Sequence, residues 1–219
     1  MGFIIDPYNF AAAGFQDNFS SSANWTITGT QVTITGGEVV TTGASGSGAE
    51  NNHAWASLGL TLNSADTWKM SFDFYLTSHS GDEAHHKPIH VHATQSSGNP
   101  HGTIDTGAIG FGVSSKGGAC FINYKLSASP DWQYPTQTQI DLAPATQYYI
   151  DVEKTADTTV VLRVFSNVGR TTHITTSPQT ITIPSGITGL NNICIASTDY
   201  STGGFDVAYK IDNLSVAEV

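Results

Sequence analysis

An all-β fold, a two-sheet antiparallel jelly-roll sandwich led by an N-terminal extended arm, is predicted by three observations. Apolar residues recur with period two over most of the chain, most clearly in 68–76. No stretch keeps a helical period over three turns. The two ends answer each other: Asp17-Asn18-Phe19 followed by Trp25 opens the alternating region, and 209–216, with Asp212-Asn213 inside it, closes it. These bookends predict that the first and last strands lie side by side.

Residues 1–14 form the arm, and 15–219 form one sandwich domain. Phe3, Ile4, Ile5, Tyr8 and Phe10 make the arm apolar, and Pro7 blocks a continuous helix. Such an arm packs on its own domain or docks on a partner subunit. From residue 24 the period is two, through Trp25 and Ile27, then Val32 and Ile34, then Val39. Gly36-Gly37 reads as a hairpin turn, because two consecutive positive-φ positions suit glycine. Residues 41–52 are a Gly/Ser-rich loop, and 54–62 are a strand. In 68–76, Trp68, Met70, Phe72, Phe74 and Leu76 share one face, while Lys69, Ser71, Asp73 and Tyr75 share the other. Further strands are predicted near 88–94, 107–115, 119–126, 147–155, 158–166, 179–183, 191–197 and 205–216. Trp25 and Trp68 belong in the core.

Charge bounds the partners. Eight Lys and Arg against eighteen Asp and Glu leave a net charge of −10. Nucleic-acid binding needs a basic stripe, which is absent, and anionic membranes are disfavoured by the same sign. No run approaches the ~20 apolar residues that span a bilayer. Met1 to Gly14 lacks a basic segment followed by an apolar one, so the expectation is a chain made without a signal peptide. Only 12% of residues are charged, and Thr, Ser, Gly and Asn fill the surface. Cys120 and Cys194 are either buried thiols or one strand-bridging disulfide. N-x-S/T sequons stand at Asn18, Asn24 and Asn213.

Several segments resemble concanavalin A-like and laminin-G-like jelly rolls. These are the 68–76 strand, Tyr148-Tyr149-Ile150-Asp151-Val152-Glu153-Lys154 followed by 160–166, and Lys210-Ile211-Asp212-Asn213-Leu214-Ser215-Val216. The resemblance spans roughly 15–216. Such domains occur in carbohydrate-binding modules, glucanases, polysaccharide lyases, and phage or archaeal-virus structural proteins. It implies that Asp212 is a calcium ligand near the start of the chain, with Asp17 or a carbonyl beside it. The plainer reading is that Asp212 and Asn213 bond a neighbouring loop. No cofactor is required beyond this structural Ca²⁺, and Ca²⁺ takes six to eight oxygens, more than two carboxylates supply.

Glycosidase chemistry needs two carboxylates across a cleft. Asp151 and Glu153 share a strand face, but the E-x-D-x-x-E motif of the resembling glucanases is absent. His90 and His92 flank Val91 and point one way. They chelate Zn²⁺ or Ni²⁺ with a third ligand from Asp82, Glu83, His85 or His101, or serve a lyase with Tyr75 or Tyr124, or make a solvent-facing polar strand, with Ile89, Val91 and Ala93 in the core. Trp132, Tyr134, Tyr200 and Trp55 are the candidate glycan platforms, Trp132 first among them. Trp132, between Pro130 and Pro135, is either exposed in a loop or folded back over the sandwich.

The sequence therefore points first to a non-enzymatic structural or adhesion protein. The expectation is a virion-associated jelly roll (capsid decoration or tail fibre) with glycan binding, assembled as a homo-oligomer, filament or virion through its arm. The alternative is a stand-alone carbohydrate-binding module or lectin, and the third reading is a polysaccharide lyase or glycoside hydrolase.

Overall fold

The computed structural model describes residues 14–42, 52–81, 85–93, 107–126, 132–135, 139–197 and 206–219. The expected assembly arm (Phe3, Ile4, Ile5, Tyr8, Phe10) lies outside them, as do Tyr200, Asp82, Glu83 and His101. Among the described residues every regular element is a strand. In chain order they are β1 (Gly14–Asp17), β2 (Thr26–Thr28), β3 (Val32–Thr35), β4 (Glu38–Thr41) and β5 (His53–Leu62). Next come β6 (Trp68–Ser80), β7 (His85–Ala93), β8 (Ala108–Ser114), β9 (Ala119–Lys125) and β10 (Ile140–Asp141). The last five are β11 (Thr146–Ala156), β12 (Thr159–Phe165), β13 (Gln179–Thr182), β14 (Leu190–Ala196) and β15 (Asp206–Glu218).

They form two antiparallel sheets. One runs β13-β12-β11-β6-β15-β4-β3, with β1 also paired to β15, and the other runs β10-β9-β8-β7-β14-β5-β2. The bookends meet as expected: Gly14 to Asp17 pair with Ala217 to Leu214. Asp17 fixes this corner, accepting bonds from the Trp25 indole N–H at 2.8 Å and the Phe19 amide at 2.6 Å. Gly36 and Gly37, at φ 64° and 86°, close the β3–β4 hairpin, a backbone geometry that glycine adopts without steric cost.

Alternation along β6 puts Trp68, Met70, Phe72, Phe74 and Leu76 wholly inside. Phe111 of β8 meets Phe72 and Phe74 edge-on at 5.4 and 5.2 Å, locking the two sheets together. Tyr209 stacks on Phe74 at 5.4 Å, and its hydroxyl donates across the sandwich to the Ala196 carbonyl. A buried Tyr needs such an acceptor. Ile27 departs from the expected pattern: at 38% exposed it lies on β2, at the outer edge of the seven-stranded sheet. Cys120 and Cys194 are buried free thiols.

Candidate functional site

The outer face of the eight-stranded sheet carries a groove of about 360 Å³. It exists because β6 alternates strictly: with one parity spent on the core, Asp73 and Tyr75 face outward. Tyr75 stands in register with Gln147 of β11 and Lys210 of β15, and Asp73 with Tyr149 and Asp212. Glu38 of β4 completes the lining and accepts a 2.7 Å bond from the Lys210 ammonium.

Two residues with positive φ shape one end. Arg170 (φ 50°) folds back over the sheet, reaching Asp73 at 3.1 Å and Asp151 at 3.4 Å, with its guanidinium 5.7 Å from the Tyr149 ring centre. Asn213 (φ 50°) sits where β15 bulges between Asp212 and Ser215, and its side-chain amide donates to Asp73 at 2.9 Å. Burial raises the Asp73 pKa above the ordinary carboxylate value, against the opposing pulls of Asn213 and Arg170. Burial also raises Asp212, the Asn213 amide opposes this, and the nearby Glu38 charge adds to the rise. Open concave sites with convergent polar groups and shifted acids are where ligands bind.

The bulge separates the two residues expected to share calcium. Asp17 pairs with Leu214, a core residue, whereas Asp212 lines the outer groove. The carboxylates thus face opposite sides of one sheet and are not brought together. Asp151 and Glu153 do share a face, but each meets an arginine, Arg170 and Arg163 respectively.

The second polar layer covers the outer face of the seven-stranded sheet. Ile89, Val91 and Ala93 of β7 enter the core as expected, so His90 and His92 point outward, their ring centres 5.5 Å apart. One row across the sheet reads Trp55, Cys194, His90, Gly110, Asn123. A solvent-facing strand was one expectation, and the structure corrects it: His90, His92 and Asn123 are 0% exposed. Gln133 exchanges two backbone bonds with Tyr124 at the β9 edge, which brings the flanking aromatic residues over the sheet. Trp132 meets His90 at 5.1 Å, Tyr134 meets His85 at 4.4 Å, and the Lys87 ammonium is 5.7 and 6.0 Å from the two ring centres. Trp132 and Tyr134 are therefore half-buried cover, in the folded-back arrangement.

Burial holds both imidazoles neutral. It pushes His92 down to about 4, opposed by the bond to the Ala93 carbonyl. His90 is lowered by burial, then by the charges of His92, Lys87 and His53. Among the described residues no three ligating side chains cluster as a metal centre would require. Tyr75 lies on the other sheet and Tyr124 packs toward the core, so among the described residues neither is brought to His90 or His92 as an acid–base partner. Trp55 is half-buried opposite Cys194. Asn123, Lys87 and the groove residues Glu38, Gln147 and Lys210 were not singled out by sequence. The alternation of 68–76 and the Gly-x-Gly spacing of Gly110 and Gly112 were the available signals.

No protein-family model matches the chain, and no curated protein matches it either. Solved structures do. Arcelin-5, a lectin-like defense protein from Phaseolus vulgaris, is 8% identical over 94% of this chain and 97% of its own, with a TM-score of 0.55. The binding domain of botulinum neurotoxin DC, solved in complex with SialylT, is 11% identical with a TM-score of 0.57. That match covers 94% of this chain and 48% of that one, so this chain spans about half of it. A carbohydrate-binding module of Bacillus subtilis, CBM66, aligns at 8% identity over 89% and 95% of the two chains, with a TM-score of 0.49. The likeness to the first two is one of fold: this chain is a two-sheet all-β sandwich of the same kind.

Proposed function

We propose that this chain is a non-enzymatic carbohydrate-binding module that holds a glycan in the groove on the outer face of its eight-stranded sheet. The observation that carries the reading is the convergence of Tyr75, Gln147, Lys210, Asp212, Asp73 and Glu38 on one open depression. Carboxylates accept from sugar hydroxyls, the lysine and amide donate to them, and the Tyr75 ring offers an apolar face. The lectin-like fold agrees, since arcelin-5 is described as lectin-like and the botulinum domain was solved with SialylT. A binding role rather than a hydrolytic one is supported by the carboxylates around Asp212: Asp73, Asp151, Glu153 and Glu38 are each engaged by a basic side chain. A glycosidase pair needs one acid poised to protonate and one carboxylate poised to attack.

A glycan array followed by calorimetry tests this. Tyr75→Ala and Asp212→Asn are each expected to weaken the selected glycan about tenfold, roughly 1.4 kcal/mol. An array without binders, or affinities untouched in both variants, contradicts the proposal.

A further inference from the structure

Asn123 presents a buried side-chain amide with neither atom hydrogen-bonded among the described residues. It lies flat over β8, where a Cβ on Gly110 would come within 2.8 Å of its Oδ1 and a Cβ on Gly112 within 2.8 Å of its Nδ2. The room that these two glycines leave is taken by the Asn123 amide and, over Gly112, by the Phe121 ring, so the amide is pressed onto the backbone of β8. Near it, His92 has its Nδ1 tied to the Ala93 carbonyl at 2.8 Å. Its Nε2 is therefore left with a lone pair, fully buried and without a hydrogen-bond partner among the described residues. Between the two stands His90, with the Trp132 ring edge-on above it.

Leaving such groups unpaired is costly. A buried amide or imidazole without a partner forfeits its bonds to water with nothing in exchange, whereas an apolar side chain of the same shape forfeits nothing. Two such groups in one layer, beneath an aromatic cover, describe a site whose partner arrives from outside.

We infer that the strip over β8 is a second saccharide subsite, closed by Trp132 and distinct from the groove on the opposite sheet. Its ligand is an uncharged sugar residue. The Nε2 lone pair of His92 accepts one hydroxyl proton. Asn123 donates to a second hydroxyl through Nδ2 and accepts from a third through Oδ1. The Trp132 ring swings off His90 and covers the sugar's C–H face. A cationic ligand is disfavoured by the Lys87 ammonium beside that ring, and neither unpaired group is charged, which suits a neutral hydroxylated ring rather than an anion.

Substitution of Asn123 separates this inference from a structural role. Asn123→Leu removes the unpaired amide at nearly constant volume, so the melting temperature is expected to hold or rise. Binding of neutral disaccharides (lactose, cellobiose, N,N′-diacetylchitobiose), followed by calorimetry and tryptophan emission, is expected to weaken at least about tenfold at this subsite. His92→Phe is expected to do the same, so the test survives if one variant fails to fold. In Tyr75→Ala protein, which disables only the groove, the emission change from Trp132 is expected to persist. The inference falls if none of the three sugars changes the emission of wild-type protein. It falls equally if they bind Asn123→Leu or His92→Phe as they bind wild type. In that last case the groove reading stands untouched.

Discussion

Asp73 is held from two sides, by the Arg170 guanidinium and the Asn213 amide, while Asp212 stands directly opposite it on β15. Burial raises the pKa of each carboxyl, and at Asp73 the Asp212 charge adds to the rise, as like charges facing across strands do. The buried histidines act the other way. His92 falls from 6.5 to about 4 on folding, so the folded state resists a proton that the unfolded chain accepts below 6.5. Stability is therefore complete above pH 6.5 and is lost progressively as pH falls toward 4, by about 3 kcal/mol for this residue. The two aspartates contribute the opposite slope, between 3.8 and their raised values. Urea titrations from pH 7 to 4 are expected to show the loss in wild type and a flatter profile in His92→Phe. Equal slopes in the two proteins contradict this assignment. Residue chemistry was only partly legible in the sequence. The outward direction of His90 and His92 followed from Val91 between them, but their burial did not: Trp132, which packs on His90, stands some forty residues later in the chain.

At the scale of elements, alternation carries most of the information. It marked the core face of β6 and, by the same parity, the outward face that became the groove wall. It marked the last strand as well, whereas the first, Gly14–Asp17, begins inside the segment read as the arm and was signalled by Asp17 alone. It missed β10, whose two residues are too few for a period. It also missed the bulge after Asp212, which reverses parity and sends Leu214 inward and Asp212 outward. That single irregularity separates Asp17 from Asp212, and no spacing rule registers it. Gly110 belongs to this scale too. A Cβ there would stand 2.5 Å from the His90 Cβ and 2.6 Å from the Ile89 carbonyl oxygen, so β7 and β8 would have to part. Gly110→Ala is expected to cost about 1–3 kcal/mol in chemical denaturation. Wild-type stability in that variant would show that the two strands pair more loosely than described.

For the whole molecule, the sheets close on one continuous core, and the two polar layers lie on opposite outer faces. Each layer follows from spending one parity of a strand on that core. The net charge of −10 keeps the surface acidic, which fits hydroxylated partners better than polyanions. Attachment to a larger assembly is a separate proposal, carried by the apolar residues Phe3, Ile4, Ile5, Tyr8 and Phe10. Deleting residues 1–13 is expected to leave glycan affinity intact and to abolish multimers in analytical ultracentrifugation. A full-length chain already monomeric, or a truncated chain with the same multimers, removes that proposal.

Glycan binding in the groove is the central claim, and backbone-amide NMR reports it most directly. Titrating the glycan selected by the array is expected to move the resonances of Glu38, Asp73, Tyr75, Gln147, Lys210 and Asp212 together, with one dissociation constant. Saturable shifts elsewhere with these six unmoved would contradict the groove as the site of recognition.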